Sequence, residues 1–66
     1  MKYCVDIREQ KSGRTVKTIL ETEDHDKAYT IVNEYNKEYG IYNTLKNEFP
    51  KDKYFIDAYK KQILSL

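Results

Sequence analysis

Hydrophobic and polar positions alternate from Lys2 to Glu9: Tyr3, Val5 and Ile7 point one way, and Cys4, Asp6 and Arg8 the other. A period of two marks a half-buried strand. After "EQKSGR", where Gly13 permits positive φ, "TVKTILE" resumes the alternation, setting Val16, Thr18 and Leu20 against Thr15, Lys17 and Ile19. The two strands form a hairpin. On this reading Ile19 lies on the wet face of the second strand.

The period then changes. In "TEDHDKAYTIVNEYNKEYG", Ala28, Ile31, Val32, Tyr35 and Tyr39 recur at helical spacing within an arc of about 100°. Asp24 or Thr22 caps the start, Glu23, Asp24 and Asp26 favour the positive end of the helix dipole, and Gly40 suits the left-handed position after the last turn. The spacing predicts a helix from near Asp24 to Tyr39, with Tyr35 and Tyr39 in the core and Tyr42 free beyond the turn. "IYNTLKNEFPKDK", in which Ile41, Leu45 and Phe49 recur, reads as an ordered connection with one helical turn. In "KYFIDAYKKQILSL", Tyr54, Ile56 and Ala58 alternate with Phe55, Asp57 and Tyr59 as in a strand, whereas Ile56, Tyr59 and Ile63 fit a helical stripe. The aromatic and β-branched start favours the strand.

The expected fold is α+β, β-β-α-β, a three-stranded sheet with one helix on one face. A helical return places the third strand beside the first, in order 2-1-3, with 1-2-3 as the alternative. Residues 1–66 are expected to form a single small domain. At this length folding buries only about 60% of the unfolded chain's surface, so the core is marginal. Disulfides, metals and oligomerisation are the usual supports for such a domain. With one cysteine, Cys4, and no second at zinc-ligand spacing, oligomerisation remains.

Candidate chemistry is sparse. The run Glu21, Glu23, Asp24, His25, Asp26 lacks the glycine turn of a calcium loop and reads as helix capping. Only one histidine is available to Cys4, and only Gly13 and Gly40 to a phosphate loop. No catalytic group, metal ion or cofactor is expected, and the chain is not read as an enzyme. Lys and Arg number 12 against 11 Asp and Glu, which implies neither a strongly basic nor a strongly acidic surface. Basic groups do gather as Arg8, Lys11, Arg14 and Lys17 and as Lys51, Lys53, Lys60 and Lys61. Beside Tyr54 and Tyr59 they would suit single-stranded nucleic acid, which is the alternative function. A lone thiol, a charged N-terminal stretch and the lack of a long apolar run lead to the expectation of a cytoplasmic protein with no membrane partner.

The outward sheet face carries more information. Cys4, Ile19, Phe55 and Tyr59 stand there among Asp6, Arg8, Lys17 and Asp57, a mixture found at protein interfaces. The expected partner-binding residues are Arg8, Lys17, Ile19, Phe55 and Tyr59, with Tyr42 beyond the helix, and a homodimer would support the small core. The layout "MKYCVDIREQKSGRTVKTIL…AYTIVNEYNKEYG…FPKDKYFIDAY" resembles small accessory proteins, mostly of uncharacterised activity, encoded by phages, prophages and other mobile elements of Gram-positive bacteria. The resemblance implies a binder of a host protein, including inhibition of an antiviral defence system, and assigns no residue a role.

Overall fold

The computed structural model describes residues 2–61. Two strands, β1 (Lys2–Glu9) and β2 (Thr15–Thr22), precede helix α1 (His25–Asn36), a short helix α2 (Ile41–Leu45) and strand β3 (Tyr54–Lys61). The sheet runs β2-β1-β3 with both pairings antiparallel. This is the expected α+β fold with the first strand in the middle. The strand reading of the C-terminal segment holds over Tyr54–Lys61; the competing helical stripe extends to Ile63, and residues 62–66 lie outside the described residues. No helix among the described residues is long and apolar enough to cross a membrane.

The central position of β1 follows from its composition. Val5 and Ile7 are fully buried on the helix face and form the core with Ala28, Tyr35, Phe49 and Ile56. β3 pairs with β1 without interruption, setting Val5 opposite Ala58 and Ile7 opposite Ile56. β2 pairs less regularly. Its register shifts twice, leaving Ile19 between the partners of Val5 and Asp6, and Val16 between those of Ile7 and Arg8. Each shift is a β-bulge that reverses the facing of the residues beyond it.

Three expectations about β2 are thereby corrected. Ile19 is half-buried against the core rather than on the wet face, and Lys17 lies opposite Ile7, in register with the helix side. Thr18, expected inside, instead faces outward opposite Asp6.

Asp24 caps α1, accepting hydrogen bonds from the backbone N–H of Asp26 at 2.9 Å and Lys27 at 3.2 Å. At the other end the helix stops earlier than Tyr39. Lys37 is the C-cap and Glu38 takes the left-handed conformation, φ 63°. The N–H groups of Glu38 and Tyr39 donate to the carbonyls of Tyr35 and Glu34, a Schellman closure. Tyr39 therefore leaves the helical face and is 47% exposed. Gly40 has a different task from the one expected. At φ 58° and ψ −118° it lies against the Glu34 side chain, whose carboxylate accepts the Ile41 N–H at 2.9 Å. That contact folds α2 back and brings Tyr42 edge-on to Tyr35, ring centroids 5.1 Å apart. Tyr42 is thus packed against the core, not free.

The two positive-φ positions after α1 should respond oppositely to substitution. Glu38→Gly relieves a non-glycine residue of a strained φ and should raise stability by about 1 kcal/mol. Gly40→Ala combines strain with overlap against Glu34 and should lower it by about 2–3 kcal/mol. Urea titrations followed by circular dichroism measure both.

Candidate functional site

Among the described residues no helix covers the sheet face opposite α1, yet its central row is submerged. Cys4 and Asp6 are each only 2% exposed. Tyr59 and Glu21 flank Cys4 across the ladders, while Asp57 and Thr18 flank Asp6. Burying a carboxylate is costly unless it is hydrogen-bonded. Thr18 Oγ1 donates to Asp6 Oδ1 at 2.7 Å, and the Tyr59 hydroxyl draws on the same carboxylate. That hydrogen bond, reinforced by desolvation, the negative charge of Asp6 and Cys4, pushes the Tyr59 pKa up to about 12.

Asp57 stands directly opposite Asp6. Like charges in that position destabilise a ladder. Arg8 provides the compensation: its Nε is buried 3.4 Å from Asp57 Oδ2, and its Nη1 donates to the Gly13 carbonyl at 3.3 Å. One guanidinium thus offsets the second carboxylate and fastens the hairpin turn. Beyond it, Lys61 reaches Glu21 at 3.9 Å.

What remains exposed on this face is aromatic. Phe55 is 39% and Tyr59 37% exposed, both from β3 and about 13 Å apart along the strand. Of the five residues expected here, Arg8, Phe55 and Tyr59 share the outer face, whereas Lys17 and Ile19 lie on the helix side; Tyr42, expected in the loop beyond the helix, packs against the core from α2. Thr18 was missed, because nothing in the β2 alternation announces the bulge that turns it outward. The basic stripe is also interrupted. Arg8 and Lys61 are matched by carboxylates, Lys51 Nζ donates to the Asn36 carbonyl at the end of α1, and Lys60 lies opposite Tyr3 on the helix side.

A shallow hollow of about 510 Å³ lies at the end of the sheet, lined by Glu9, Gln10, Lys11, Asp52, Lys53 and Tyr54. Gln10 stitches it closed from below. Its backbone N–H donates to the Lys53 carbonyl and its side-chain amide to the carbonyls of Lys51 and Tyr54. The hollow is a join between the hairpin and the connection entering β3.

Asp6→Asn, which keeps an acceptor for Thr18 but removes the charge, should return the Tyr59 titration toward its ordinary value of 10.0. Tyrosine ring resonances followed against pH measure this directly. Burial, with the nearby Tyr42, raises Tyr35 to about 12 as well. For both groups the unfolded chain releases its proton first. Their stabilising contribution should be complete below pH 10 and fall as pH rises to about 12, seen as a declining urea midpoint that Tyr35→Phe makes shallower.

No family model matches the chain, and no match is found among curated proteins or solved structures.

Proposed function

We propose that the protein is a non-enzymatic binder that attaches to a host protein through the outer face of its sheet and acts by occluding that partner. The exposed Phe55–Tyr59 pair, on a face that no helix among the described residues covers, carries this reading. Aromatic side chains supply large contact area at small entropic cost and dominate interface energetics, and arginine accompanies them. Arg8, already held in place by Asp57 and Gly13, gives such an interface a fixed cation at its centre. The matching of Arg8 and Lys61 by carboxylates favours a protein partner over the alternative of a nucleic acid, for which unpaired cations beside the rings would be needed. The resemblance to accessory proteins of phages and mobile elements favours a bacterial cytoplasm as the setting, with a defence component as one class of target. Self-association into a homodimer belongs to the same reading, since a core of this size gains from a second copy.

The test compares two exposed rings on opposite sides of the molecule. Phe55→Ser should abolish capture of the host partner from a lysate, whereas Tyr39→Ser, removing an even more exposed ring at the end of α1, should leave capture unchanged. Equal capture by both variants would refute the outer-face assignment. Tight binding of single-stranded DNA or RNA that weakens steeply with salt and vanishes when Lys11, Arg14 and Lys17 are neutralised would install the alternative in its place.

A further inference from the structure

The two edges of the sheet are not equivalent, and we infer that the second copy pairs antiparallel along the outer edge of β3 about a twofold axis at Ala58. The inference rests on the self-association just proposed and specifies its surface. Along β2 the bulges at Val16 and Ile19 break the row of edge N–H and C=O groups, a common means of refusing another strand. β3 has no such break. It pairs with β1 residue for residue from Tyr54 to Lys61, so its other edge presents a straight row of backbone groups among the described residues. It also contains no proline. Strand addition at such an edge satisfies those groups directly.

Side-chain chemistry and the length of strand joined select the register: an axis at Tyr59 pairs only residues 57–61 and one at Phe55 only residues 54–56 of β3. A twofold axis that keeps both helices on one side of the joined sheet must pair residues of equal parity. An axis at Asp57 would set Asp57 against its own copy and Lys53 against Lys61, two like-charge contacts. An axis at Ile56 would set Tyr59 against Lys53, which precedes the strand. An axis at Ala58 keeps the pairing within residues 55–61: Phe55 faces the second copy's Lys61, Asp57 faces its Tyr59, and the small Ala58 faces itself. These contacts place a cation on a ring and a hydroxyl beside a carboxylate. The two α1 helices do not obstruct this arrangement. α1 packs on all three strands and is therefore centred near β1, and the two β1 strands would lie about 14 Å apart, more than the 8–10 Å of helices in contact.

Ala58→Cys tests the register in the full-length chain. Residues on the axis have Cα atoms about 4.5–5.5 Å apart, within disulfide range. Cys4 is buried on the opposite face and does not compete. Mild oxidation should link two chains through the introduced thiols in Ala58→Cys and not in Asp57→Cys, while sedimentation of the unmodified chain shows a mass that rises with concentration. Lys61→Glu, at an exposed end of the strand, should weaken the dimer severalfold without unfolding it. A chain that stays at the monomer mass overturns both this inference and the self-association. A dimer that Asp57→Cys links and Ala58→Cys does not, or that neither links, leaves self-association standing and overturns the β3 edge and the Ala58 register. Loss of host capture in a Phe55→Ser variant that keeps the sedimentation behaviour of the unmodified chain bears on the outer face alone.

Discussion

The hydroxyl of Tyr35 donates to the carbonyl of Phe49 at 2.7 Å inside the core, and the rest of the small protein is arranged around that bond. The side chain is fully buried on the inner face of α1, where its ring packs with Val5, Ile7 and Ile56 from the sheet. Phe49 lies in the connection between α2 and β3. One hydrogen bond thereby ties the helix to the segment that delivers the third strand, and Tyr42 closes the side of the ring from α2. Without it a buried hydroxyl and a buried carbonyl would both be unsatisfied, a penalty of about 1–3 kcal/mol each. A domain whose total stability is only several kcal/mol cannot absorb such a loss easily.

Much of this was legible in the sequence where periodicity is unbroken. Tyr3, Val5 and Ile7 alternate without exception, as do Tyr54, Ile56 and Ala58, and β1 and β3 are both placed correctly on both faces. Ala28, Ile31, Val32 and Tyr35 fix the buried side of α1 in the same way. Where the pattern misled, an extra residue or an early turn had reset the phase. Val16 and Ile19 are β-branched residues suited to any strand position, so nothing in their type shows that each interrupts the β2 ladder. The closing tyrosines exchanged places for a comparable reason. Left-handed turns are assigned to glycine by default, but the helix turns at Glu38, which moves Tyr39 outward and lets Tyr42 return to the core.

The outer face shows how a sheet without a covering layer can still be ordered. Its polar residues are not independent solvated groups: Thr18 and Tyr59 serve Asp6, while Arg8 serves Asp57 and the hairpin. Charges already engaged in this way are poorly able to reach for distant phosphates, and they hold the outer face in a fixed pattern. Of the residues expected to contact a partner, Arg8, Phe55 and Tyr59 share this face, while Lys17 and Ile19 lie on the helix side and Tyr42 packs on the core.

The bulges of β2 carry a consequence for how far assembly can proceed. A sheet with two straight edges can recruit chain after chain and grow into a filament. With one edge kinked at two points, any pairing that uses the other edge consumes the sole site for growth, and the assembly is finished at its first step. For a chain rich in tyrosine and β-branched residues, the irregular strand would act as a terminator in any such assembly, limiting polymerisation by geometry rather than by charge.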